Sequence, residues 1–81
     1  MKMLQQTEEQ SNKYVWRLVI LLQGENPRKP PIPPSAVKWK NSGILYTFWF
    51  LDEKEAEKWR SYFASEKDFL VFWFLKEKRK Q

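Results

Sequence analysis

Phe48-Trp49-Phe50-Leu51, followed at once by Asp52-Glu53-Lys54-Glu55-Ala56 and later by Phe72-Trp73-Phe74-Leu75, is the stretch of this chain that decides its fold. The same aromatic tetrapeptide closes two apolar runs, 44–51 and 69–75, and each time charged residues come next. Large aromatics stand on both parities of each run. Two strands of one sheet built from them therefore present bulky apolar side chains on both faces. Between the runs, Asp52 and Glu55 have the spacing of a capping box, in which one carboxylate accepts from an early helical amide while the other reaches back. A helix is predicted from there to Ser65. Ala56, Trp59 and Phe63 recur at i, i+3 and i+7 as its apolar stripe, with Tyr62 at the edge and Glu53, Lys54, Glu57, Lys58 and Ser61 on the wet side. Lys54 with Glu57, Glu55 with Lys58, and Glu57 with Arg60 can pair across one turn, each worth about 0.2–0.5 kcal/mol.

Outward from this core, residues 14–23 form a near-continuous apolar run bounded by Gly24. Trp16, Leu18, Ile20 and Leu22 take one parity and Val15, Val19 and Leu21 the other, the pattern of a strand buried on both sides. All five prolines lie within 25–43, and the cluster Pro30, Pro31, Ile32, Pro33, Pro34 cannot donate ladder hydrogen bonds, so this span reads as a stiff extended loop. The first residues, 1–13, are rich in Gln, Glu, Ser and Asn without a sustained period and read as a flexible arm. The predicted order is strand, long loop, strand, helix, strand. A strand-helix-strand crossover makes its two strands parallel, and the evenly apolar first strand belongs between them. This predicts an α+β fold: a three-stranded antiparallel sheet of order 2-1-3 with one helix, a split βαβ unit that is half of a ferredoxin-like fold. The domain spans 14–76 and a basic tail follows at 77–81.

One helix cannot cover both faces of three aromatic strands. A wetted second face would leave an apolar patch larger than a soluble monomer usually tolerates. Its cover is expected from the proline-rich loop folding back with Ile32, Val37 and Trp39, from a second copy of the chain, or from a ligand that stacks on aromatics.

Composition narrows the chemistry. At 81 residues the chain suffices for one domain near the size where a single core becomes marginal. It has no cysteine and no histidine, which removes disulfides, thiolate metal sites, and the commonest general base and metal ligand. Gly24 and Gly43 alone make no phosphate-cradling loop, and the acids Asp52, Glu53, Glu55 and Glu57 are accounted for by capping and surface pairing. An enzyme, a bound metal or a cofactor is not expected. The apolar run in 14–23 is broken by Arg17 and is shorter than the roughly 20 residues a membrane span requires. The polar start lacks the apolar stretch of a secretion signal, so a cytoplasmic protein is expected.

The formal charge of +5 is unevenly spread. Residues 25–51 carry Arg28, Lys29, Lys38 and Lys40 against Glu25, for +3, and the tail carries Lys76, Lys78, Arg79 and Lys80 against Glu77, for another +3. Residues 52–68 hold six acids against Lys54, Lys58, Arg60 and Lys67, for −2. Such asymmetry points to a polyanionic partner. Sheets bind single-stranded nucleic acid by stacking aromatics on bases while Lys and Arg follow the phosphates. Arg28, Lys29, Lys38, Lys40, Lys76, Lys78, Arg79 and Lys80 are the candidate phosphate contacts, and Trp39, bracketed by two lysines, is the candidate stacking residue. The bland alternative for each is a solvated charge that keeps an aromatic sheet soluble and guards its edge. The run from Arg28 to Pro34 also matches the polyproline ligand pattern of SH3 domains, a short pattern that chance supplies often.

The absence of Cys and His, the abundance of Lys and Glu, the proline-stiffened loop and the paired Phe-Trp-Phe-Leu strands together resemble the small accessory proteins encoded by viruses and plasmids of hyperthermophilic archaea. The resemblance is one of composition over the whole chain, and it implies a protein acting in the host cytoplasm in nucleic-acid binding, interference with host machinery, or assembly. The expected function is that of a non-enzymatic homodimer binding nucleic acid through its basic loop and tail. The alternative is a protein-interaction module that docks a host or viral protein on its aromatic sheet face.

Overall fold

The computed structural model describes residues 14–78. The evenly apolar segment forms β1 (Tyr14–Leu22), and it lies inside the sheet, antiparallel to a neighbour on each side. One neighbour is β3 (Leu45–Phe50) and the other is β4 (Phe69–Lys78). The helix α1 (Glu53–Ser65) connects β3 to β4, so these two strands run the same way with β1 between them.

The expected three-stranded sheet of order 2-1-3, half of a ferredoxin-like fold, is corrected by a fourth strand. β2 (Ala36–Ser42) pairs antiparallel with β3, giving one sheet of order β2-β3-β1-β4. The loop predicted over 25–43 thus ends at Ser35. Proline excludes a central strand, but its influence stops at Pro34, and the pairing asked of Ala36–Ser42 is only that of an edge. The hairpin joining β2 to β3 turns on Gly43 and Ile44, with Ser42 opposite Leu45. Gly43 has φ +62° and among the described residues no non-glycine residue has a positive φ, the pattern of a type II′ turn with glycine at its first central position. Asn41 Nδ2 donates to the carbonyls of Gly43 and Leu45 and closes the turn. β4 likewise runs on to Lys78, so the basic tail predicted from residue 77 begins as strand. The arm at 1–13, Arg79 and Lys80 lie outside the described residues.

The core lies between α1 and one face of the sheet. Leu18, Ile20, Phe48, Phe50, Ala56 and Phe63 are fully buried there, joined by Tyr46 and Phe69. Phe63 is the keystone: its ring stacks on Phe48 at 5.7 Å and meets Phe69 edge-on at 5.3 Å. Burying one such ring stabilises the fold by about 1.5–3 kcal/mol, more than the helix's cap and surface pairs contribute individually. The cap itself forms, with Asp52 accepting from the Glu55 amide at 3.0 Å. Glu55 does not reach back to complete the box. It accepts instead from Ser35 Oγ at 2.9 Å and meets Lys58 at 3.8 Å.

That bond helps fix the proline-rich loop to the helix side of the sheet. Pro30 and Pro33 are buried, and Pro31 lines a hollow together with Lys58, Trp59 and Tyr62 of α1. The Ala36 amide donates to the Pro33 carbonyl and turns the chain into β2. Arg28 lies over the Phe69 ring and reaches Asp68 at 2.8 Å and Glu66 at 3.1 Å. The hydrogen bond it donates to the Asp68 carboxylate raises the guanidinium's pKa beyond its ordinary value, holding it charged.

Candidate functional site

The loop's placement removes one of the three expected covers for the second sheet face. Among the described residues, no helix, strand or loop packs over it. Antiparallel register fixes what this face displays, because directly opposed residues share a face. One row across the sheet runs Lys38, Trp49, Arg17, Leu75, and the next runs Lys40, Thr47, Val19, Trp73. A third runs Ser42, Leu45, Leu21, Leu70.

The rows form a shallow relief. Val19 and Thr47, in the middle, are each only 8% exposed, lying low between longer neighbours. A hollow of about 340 Å³ opens beside them, lined by Arg17, Lys40, Ser42, Leu45, Thr47 and Trp49. Lys38 leans over the Trp49 ring at 5.1 Å, a cation–π contact that holds the ammonium beside the hollow. Arg17 Nη2 meets Glu77 at 3.3 Å, while Arg17 Nε is buried without a hydrogen-bond partner. Among the described residues, three cations on this face, Arg17, Lys38 and Lys40, stand against one carboxylate, Glu77. The arrangement sets an excess of positive charge beside an aromatic ring on an open surface.

The residues singled out from the sequence divide among different surfaces. Lys38 and Lys40 are exposed on the open face. Trp39, between them, turns to the opposite face, where its ring stacks on Tyr46 at 6.2 Å and remains half-exposed. Arg28 is engaged by Asp68 and Glu66, and Lys29 is exposed on the loop. Lys76 lies on the helix-side face, over the rings of Tyr14 at 4.4 Å and Trp16 at 5.7 Å. Lys78 stands opposite Tyr14 at the same end of the sheet. Loop and tail cations are thus not gathered into one site.

Sequence reasoning missed Arg17, Trp49 and Trp73 as site residues. The signal for Arg17 was its parity: a charge in a strand otherwise apolar on both sides must mark the wetter face, and it shares that parity with Val15, Val19 and Leu21. The parity of Trp49 becomes informative only once β1 and β3 are set in register. A second hollow, of about 270 Å³, lies on the helix side among Pro31, Lys58, Trp59 and Tyr62. Trp59 Nε1 is buried nearby without an acceptor.

Among the described residues no cluster of His, Cys, Asp or Glu is suited to hold a metal ion, and no helix is long and apolar enough to cross a membrane. Comparison of the chain with protein-family models, with curated proteins and with solved structures finds no match.

Proposed function

We propose that this protein binds nucleic acid without catalysing a reaction, as a homodimer whose working surface is the helix-free face of the sheet. The observation that carries the reading is the clustering of Arg17, Lys38 and Lys40 around Trp49 on a face that no other part of the described chain covers. Exposed cations neutralise phosphates and release counterions, so affinity should fall steeply with salt and depend little on sequence. Lys29, Lys76 and Lys78, lying elsewhere, add to the general positive field that draws a polyanion in.

Self-association is assigned to the free edge of β4. Its segment 69–75 carries no charge, and Leu70 and Phe72 are 45% and 56% exposed. The other edge, β2, displays Lys38 and Lys40, the kind of side chains that keep an edge single. The same apolar edge is what favours the second reading, a module that docks another protein and uses its lysines only for solubility.

Titration of a labelled oligonucleotide at low and at physiological salt tests the proposal. Binding is expected at low salt, and Lys38→Glu with Lys40→Glu is expected to abolish it. Absence of binding to any DNA or RNA at low salt rejects it. Loss of nucleic-acid binding without change in a protein interface would separate the two readings.

A further inference from the structure

The open face sets Trp49 and Trp73 on either side of β1. Resting on the nucleic-acid reading above, we infer that its ligand is an unpaired strand crossing the sheet diagonally, with one base stacked on Trp49, another on Trp73, and a phosphate held between Arg17 and Lys40.

Trp49 on β3 lies opposite Arg17, and Trp73 on β4 lies opposite Val19, so the two tryptophans flank β1 and are offset by two residues along it. Two strand spacings and two residue rises place their Cα atoms about 12 Å apart. Neighbouring bases in a duplex strand are separated by only about 3.4 Å along the helix axis. Their faces are covered by one another. Rings set this far apart on a flat sheet are reached only by bases that have left the stack, which is how sheets recognise single strands. Trp73 is 51% exposed and offers its ring without rearrangement. Trp49 is half-buried and carries the Lys38 ammonium at 5.1 Å, so a base arriving there meets a ring and a cation together.

The hollow supplies the anion site. It lies on the β2 and β3 side of Arg17, with Lys40 across from the guanidinium and Ser42 and Thr47 on its walls. Glu77 takes one Arg17 nitrogen from the other side. Arg17 Nε is buried with no acceptor from the chain, and buried donors are ordinarily satisfied. A phosphate oxygen entering the hollow is an acceptor of the right charge. Lys38, at the margin of the sheet, gives the next phosphate its contact.

The test compares a short single-stranded oligonucleotide with its duplex at low salt, read by fluorescence anisotropy, on the unmodified chain and on Trp73→Ala and Trp49→Leu. The single strand is expected to bind at least about tenfold more tightly than the duplex. Each tryptophan variant is expected to weaken single-strand binding about 5- to 100-fold, the loss that removing one stacked base entails, and to leave duplex binding unchanged. Trp73→Ala alters an exposed edge position and keeps the test decisive if Trp49→Leu fails to fold. Equal binding of both forms, unaffected by either tryptophan yet abolished by Lys38→Glu with Lys40→Glu, overturns the stacking inference while nucleic-acid binding stands. No binding of either form overturns both.

Discussion

Arg17 does two jobs that its neighbours cannot. In a strand whose other side chains are almost all apolar, it sets which parity meets water, and among the described residues its guanidinium is the only cation at the centre of the open face. The pair it makes with Glu77 at 3.3 Å has side chains 36% and 34% exposed and is of the kind that contributes at most about 1 kcal/mol. Arg17→Gln should therefore shift urea unfolding by no more than that, while lowering the dependence of oligonucleotide affinity on log salt by about 0.7, the share of one phosphate contact on a single strand. A large loss of stability with an unchanged salt slope would mean that Arg17 is structural only. Gly43 makes the opposite case, a residue whose role lies wholly in the backbone. A methyl group added there meets nothing within 4 Å, but φ is +62°. Gly43→Ala should cost about 1 kcal/mol from that conformation alone, measurable by denaturant unfolding. Ser42-Gly43 was visible as punctuation in the sequence. That it was a hairpin turn and not merely the end of a loop was not, because the residues before it had already been given to the prolines.

At the scale of elements, the helix and the second strand show what kind of information a sequence carries plainly. The start of α1 is local: Asp52 and the Glu55 amide are three residues apart, and the apolar stripe repeats within one turn. Both could be read without knowing what the helix packs on. The partner of Glu55 could not, since Ser35 lies 20 residues earlier in a loop whose path depends on burying Pro30 and Pro33. β2 is harder still. It has one neighbour, one face turned toward the core side, and a register shift between Ala36 and Lys38 that leaves Val37 unpaired. Its alternation of Val37 and Trp39 with Lys38 and Lys40 resembles that of an exposed loop until β3 is placed beside it. The same contrast ranks two substitutions. Asp52→Ala removes one cap and should cost about 1 kcal/mol. Phe63→Ala removes the ring that Phe48, Phe69, Trp59 and Tyr62 all touch and should cost about 3–5 kcal/mol. If thermal unfolding ranked them the other way, helix initiation and not packing would be holding α1 in place.

For the molecule as a whole, the unsettled quantity is how a sheet with one helix layer tolerates its other face and its edges. The lysines of β2 and the cations around Trp49 wet part of that surface. The apolar excess then concentrates on β4, where Leu70, Phe72 and Trp73 are all about half-exposed. This strand also carries a bulge: Val19 faces Trp73 and Ile20 faces Val71, leaving Phe72 without an opposing residue. Bulges interrupt edge-to-edge backbone pairing, so in the proposed dimer a second copy would be held here chiefly by side-chain burial, with Phe72 as its anchor. Such a contact has a distinct signature, since apolar association survives salt that screens exposed charges. Light scattering should give the mass of a dimer at both low and high salt, and Phe72→Lys should halve that mass without unfolding the chain. In the proposed arrangement the copies meet at Phe72, while the strand is held mainly toward Arg17, Lys40 and Trp49, with Trp73 between the two. The Phe72→Lys monomer should therefore still bind at low salt, with the weaker apparent affinity of one site acting alone instead of two linked ones. If the unmodified chain is monomeric at every salt concentration, the exposed apolar edge is open to a different protein, and the nucleic-acid site works as a single unit.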